Sequence, residues 1–142
     1  IDAHGSPEQR RRYLPAVIDG SLILTAALAE GASGELPELP ATRATRDGGG
    51  WRLDGEKRFV PAAHLAGRML VPARTGEGEV GVFLVDPRAA GVTLERVEST
   101  TLEPLSIVTL AGAQVAGDDV LGDPARGGAI VAWIAQRALA GL

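Results

Sequence analysis

The 142-residue chain has no cysteine. Disulfides, thiolate metal ligands and cysteine nucleophiles are therefore excluded. Histidine is almost as scarce: His4 and His64 stand alone and cannot build a histidine-rich metal centre. Basic residues number 14 against 18 acidic ones, leaving a formal net charge of −4. Binding to a phosphate backbone needs clustered lysine and arginine, so a dedicated nucleic-acid binder is set aside. No apolar run approaches the roughly 20 residues that cross a bilayer as a helix. No charged n-region followed by an apolar h-region opens the sequence. The expectation is a soluble, cytoplasmic protein without a membrane span. A Gly-x-Ser-x-Gly elbow is missing, as is a strand–GxGxxG–helix phosphate cradle. Asp118, Asp119 and Asp123 lack the fixed glycine and terminal glutamate of a calcium loop and read as a charged turn.

Apolar residues make up 45% of the chain, enough for a core. The 19 glycines and 9 prolines point to short strands joined by tight turns. Ser6-Pro7-Glu8-Gln9 is a helix start, with serine at the N-cap and proline at the first helical position. Tyr13, Leu14, Val17 and Ile18 share one face of that helix, Pro15 kinks or limits it, and Gly20 suits its C′ position.

Beyond it the period changes. Leu22–Leu28 reads as a short buried strand, and Glu30–Pro40 as a loop. Thr42–Arg46, Asp47-Gly48-Gly49-Gly50 and Trp51–Leu53 form a hairpin signal, and Asp54-Gly55 a second tight turn before Glu56–Val60. Trp51 and Phe59, in neighbouring strands, read as core. Further strands follow at Met69–Arg74, Val80–Val85, Val92–Val97 and, longest, Ser106–Val115. From Ala125 to Leu142 the spacing is helical and reads as a helix packing on something beyond these residues, so in the isolated piece Trp133, Ile134 and Leu139 are expected to stay exposed or self-associate. The organisation is seven or so short strands between two helical stubs, which favours an antiparallel barrel or sandwich. Neither end reads as a natural terminus, so the expectation is a domain excised from a longer protein.

In order and spacing, the motifs resemble the middle of the acyl-CoA dehydrogenase family. Gly5–Arg10 with Tyr13-Leu14-Pro15 is similar to that family's "G-s-eeQk-ryLP" helix. Leu28-Ala29-Glu30-Gly31-Ala32-Ser33-Gly34 stands where the family writes "T-E-P-g-A-G-S-D", and Asp47 to Val60 where it writes "dgdgy-lnG-K-w-I-t-n". Val82 to Val92 resembles "g-FlVd…pGv", and Leu110 to Gly122 resembles "l-f-d-v-V-p…n-vLG". The resemblance implies a mainly β fold: an antiparallel β-barrel of two near-orthogonal sheets with short N- and C-terminal helices. It divides the chain into 1–20, the end of an N-terminal helical domain, 21–122, the barrel, and 123–142, the start of a C-terminal helical domain.

The resemblance further implies FAD, with Leu28, Ala29, Phe59 and Val60 lining the isoalloxazine, and an acyl-CoA thioester as substrate. The carboxylate base would lie in the C-terminal helical domain, so the excised piece would be inactive alone. Partners would be family subunits in a homo- or hetero-oligomer. Against the family pattern, Ala29 replaces a threonine, Glu35 and Leu36 replace serine and aspartate, and Pro61 replaces a threonine. Ser99–Glu103 stands in place of "G-x-R-x-S". Three readings follow: a divergent flavin-containing dehydrogenase, a non-catalytic or half-site subunit paired with an active homologue, or an antiparallel β domain used for binding or assembly.

Overall fold

The computed structural model describes residues 1–100 and 102–140, with only the backbone of Leu139. The expectations for Thr101, the Leu139 side chain and Leu142 lie outside the described residues.

Helix α1 spans Pro7–Ile18. Ser6 Oγ accepts from the Gln9 N–H at 3.1 Å and Gln9 Oε1 accepts from the Ser6 N–H at 3.0 Å, a reciprocal capping box. Pro15 does not end the helix. It removes a bond to the Arg11 carbonyl, but both residues are exposed and water can satisfy that oxygen. Gly20 closes the helix in the left-handed region, with φ +79. The expected apolar face is only partly used: Tyr13 is buried, whereas Val17 and Ile18 face solvent. Gln9 Nε2 donates to the carbonyls of Asp118 and Val120, both at 2.8 Å, and so docks the helix through a polar clamp.

Among the described residues eight strands form one sheet: β1 (Leu24–Ala26), β2 (Arg43–Asp47), β3 (Gly50–Pro61), β4 (Arg68–Gly76), β5 (Glu79–Val85), β6 (Val92–Val97), β7 (Leu105–Ala116) and β8 (Val120–Leu121). The order is β6-β7-β3-β2-β4-β5-β8, with β1 added on β4. Two features differ from the expected barrel. The β1/β4 and β2/β4 pairings are parallel. The path is also open: among the described residues no pairing joins its edge strands β6 and β8, the latter only two residues long.

The first hairpin turns at Gly48 as expected, joining β2 to β3. Asp54-Gly55 is not a turn. It is a register shift inside the 12-residue β3, which continues against the equally long β7. Asp54 Oδ1 accepts the Gly112 N–H of β7 at 2.8 Å, which holds the irregularity in place. Leu22–Leu28 contributes only the three residues of β1, with Ala27 as its one fully buried member.

The main core lies between β3, β4, β5 and β7 and contains Trp51, Leu53, Val60, Met69, Val71, Phe83, Val85, Val108 and Leu110. Trp51 meets Phe83 edge-on, with ring centroids 5.4 Å apart. A second cluster joins Val80, Val82 and Leu121 to Ile130 and Val131 of helix α2 (Gly127–Ala140). Against expectation, Trp133 and Ile134 are partly covered by the chain itself. Trp133 meets the His4 ring edge-on at 5.3 Å, and Ile134 packs on the second cluster. Among the described residues, no helix is long and apolar enough to cross a membrane.

Candidate functional site

Two segments, 27–30 and 58–61, meet at the end of β3. The Ala27 N–H donates to the Leu70 carbonyl at 2.9 Å, continuing the line of β1. The Arg58 N–H donates to the Ala29 carbonyl at 2.9 Å and stitches the segments together. Within β3, Lys57 pairs with Val108 and Val60 with Ser106, so Arg58 and Phe59 together oppose only Ile107. The extra residue makes a β-bulge, and Phe59 takes a φ of 52. This conformation is rare for a residue with a side chain and re-aims it. Phe59 turns outward at 36% exposure, while Val60 returns to the core at 1%. Pro61 is fixed by its carbonyl, which accepts from the Thr25 hydroxyl at 2.6 Å.

The result is a groove of about 270 Å³ lined by Leu28, Ala29, Arg58, Phe59 and Pro61, with Ala26 beside them and Ile134 and Ala138 of α2 opposite. Three of the four residues singled out in the sequence, Leu28, Ala29 and Phe59, come together here. Val60 does not: its side chain is in the core, and only its backbone is close to the groove. Phe59 also departs from the core role read for it, because it shares β3 with Trp51 but sits in the bulge, which turns its side chain outward. Ala26, Arg58, Ile134 and Ala138 were missed. The position of Arg58 between Lys57 and Phe59 was the available signal, whereas the arrival of α2 depends on tertiary packing.

Behind the groove lies a buried ion pair. Glu30 accepts four hydrogen bonds: from the Ala41 N–H at 2.6 Å, the Thr42 N–H at 3.1 Å, the Thr42 hydroxyl at 2.6 Å and Lys57 Nζ at 2.7 Å. Burial alone would raise the Glu30 pKa. The hydrogen bonds from Lys57 and Thr42, with the lysine charge, outweigh burial and hold it below the ordinary value. Burial lowers the Lys57 pKa, and Glu30 only partly restores it. With its carboxylate engaged in this way, Glu30 anchors the 31–40 loop to β3 and does not face a ligand. Glu35 is exposed, and its main-chain carbonyl accepts the Glu30 N–H at 2.9 Å.

Among the groove-lining residues none carries a carboxylate, a hydroxyl or an imidazole. His64 lies in the turn after Pro61 and does not line the groove. Asp119 accepts from the buried Tyr13 hydroxyl at 2.6 Å, a structural bond remote in sequence from the groove. Among the described residues no group of three or more potential ligands could hold a metal ion.

The lining fits the face of a fused aromatic ring, which needs apolar contact and exclusion of water. Toward a polar ring edge it offers the Arg58 side chain, whose Nε donates to Glu56 at 2.8 Å, and little from the backbone. Pro61 has no N–H, and the carbonyls of Ala29 and Pro61 are already engaged within the chain.

The sequence model of the acyl-CoA dehydrogenase middle domain matches residues 25–113. The acyl-CoA dehydrogenase FadE12 of Mycobacterium tuberculosis is 31% identical over 109 residues, covering 73% of this chain and 28% of that protein. Glutaryl-CoA dehydrogenase of Mycobacterium smegmatis, solved in complex with FADH2, superposes with a TM-score of 0.79 at 27% identity, over 90% of this chain and 34% of that one. The ChsE4–ChsE5 complex from Mycobacterium tuberculosis shares the fold, with a TM-score of 0.88 at 24% identity over 96% of this chain and 36% of the other. The chain thus spans about a third of the length of these proteins. Its sequence and fold place it in the acyl-CoA dehydrogenase family.

Proposed function

We propose that this chain forms one wall of the FAD site in an acyl-CoA dehydrogenase-type oxidoreductase. The groove between Leu28-Ala29 and Phe59–Pro61 carries this reading. When bound, FAD supplies the hydride acceptor for α,β-desaturation of an acyl-CoA thioester. Leu28, Ala29 and Phe59 would give the ring an apolar surface and keep water from it, with the Val60 backbone beside them. The Glu30–Lys57 pair holds the two segments in register. With no carboxylate in the groove, the base that removes the α-proton comes from other residues, and residues 1–142 alone are inactive. In this reading residues 21–122 are the wall domain, flanked by the end of one helical domain (1–20) and the start of another (123–142). The relative solved with FADH2 supports the cofactor assignment. An absorbance spectrum of the purified whole protein tests it: flavin bands are expected, and their absence even after incubation with FAD contradicts the proposal.

The engaged carbonyls of Ala29 and Pro61 favour a second reading, a half-site subunit that supports the flavin of a homologous partner. Flavin bands found only when both subunits are co-expressed would select it.

A further inference from the structure

On the outer side of the sheet, Arg43 of β2 and Arg74 of β4 are Cα partners in the parallel bridge that joins their strands. The Arg74 N–H donates to the Thr42 carbonyl at 2.8 Å, which fixes that register. Directly paired residues project from the same face of a sheet, so the two guanidinium-bearing side chains leave it side by side. Like charges in this relation are destabilising. Four other strand arginines are compensated: Arg52, Arg58 and Arg68 each reach an acid, and Arg46 lies over the Trp51 ring at 4.1 Å. Among the described residues, Arg43 and Arg74 have neither kind of partner.

They line a cavity of about 380 Å³ that also receives Thr45, Thr75 and Glu77. The Thr75 hydroxyl donates to the Pro124 carbonyl at 2.8 Å, so Thr45 is the neutral side-chain donor left for a ligand. Glu77 is exposed and the Glu79 carboxylate lies against Gly76 at the edge of the cavity, so the positive charge is local to the Arg43–Arg74 pair. None of these residues lines the Leu28–Phe59 groove.

We propose that the Arg43–Arg74 cleft binds a phosphoryl group. Two forked guanidinium groups present parallel N–H donors that match phosphate oxygens, and the bound anion cancels their mutual repulsion. The group is either free phosphate or the phosphomonoester of a nucleotide.

The test is calorimetric titration of the whole protein with inorganic phosphate and with AMP, at ionic strength held constant with sodium chloride. Saturable binding is expected, weakened at least tenfold by Arg43→Gln and by Arg74→Gln and unchanged by Arg10→Gln on the surface of α1. Removing one of two like charges leaves the melting temperature of the ligand-free variants at or above the wild-type value, which separates lost binding from lost folding. Tighter binding of AMP assigns the site to a phosphomonoester, and equal or tighter binding of phosphate assigns it to the free anion. The proposal is overturned if neither ligand saturates, or if Arg10→Gln weakens binding as much as the cleft variants do. No flavin enters the measurement, so its failure is distinct from failure of the flavin assignment.

Discussion

Gly34 lies beneath the ring of Phe59: a Cβ added to the glycine would stand 2.6 Å from Phe59 Cδ2. Both residues are in the left-handed region, at φ +70 and φ 52, so the 31–40 loop and the β3 bulge are fitted to one another. Gly34→Ala displaces the ring and strains the backbone, with an expected loss of about 1–2 kcal/mol from the conformation alone. Gly31 has the same φ of +70 but nothing within 4 Å of its missing Cβ. In denaturant melts Gly34→Ala should therefore destabilise more than Gly31→Ala. Equal losses would show that the ring contact carries no energy.

The Glu30–Lys57 pair makes a sharper prediction. Lys57 is completely buried, and Lys57→Met leaves the Glu30 carboxylate enclosed without its cation. Breaking such a pair from one side costs about 3–5 kcal/mol. The double variant Glu30→Gln with Lys57→Met removes both charges and should recover part of that loss. Chemical denaturation of the three proteins measures the difference.

Acid titration probes the same carboxylate. The folded-state pKa of Glu30 lies below its ordinary value of 4.5, so between the two the unfolded chain binds more protons. The Glu30 contribution to stability is complete above 4.5 and is lost as the pH falls through the folded value. Denaturation midpoints recorded from about pH 6 to about pH 2 should fall more steeply for wild type than for Glu30→Gln. Parallel curves would contradict the assignment.

Docking of α1 rests on polar contacts more than on apolar ones. Tyr13→Phe removes the 2.6 Å bond to Asp119, a residue only 8% exposed, and leaves it Arg12 at 3.4 Å. An expected cost of about 1–3 kcal/mol follows from the buried acceptor that loses its donor. Hydrogen exchange should then speed up first across residues 7–18, whereas a uniform change would place the effect elsewhere.

Much of the strand pattern was legible because it depends on local alternation and turn chemistry. β2, β5 and β6 fall where Thr42–Arg46, Val80–Val85 and Val92–Val97 were read. The failures have tertiary causes. Asp54-Gly55 has the composition of a hairpin turn, but a 12-residue partner strand passes both halves of β3 and converts it into a register shift. Pro15 is tolerated because the helix face it disrupts is wet. Val60 faces inward because of a bulge that sequence alternation does not reveal. In the site, Leu28, Ala29 and Phe59 were legible through the family motif. Thr42 as a ligand of Glu30, and α2 as the opposite wall, became visible only in the fold.

In the proposed function the Leu28–Phe59 groove holds the flavin ring. Equilibrium binding of FAD to the whole protein, compared with Phe59→Ala and Leu28→Asp, tests it most directly. At least tenfold weaker binding in both variants, with folding retained by circular dichroism, is the expected result. FAD affinity equal to wild type in both would place the flavin elsewhere.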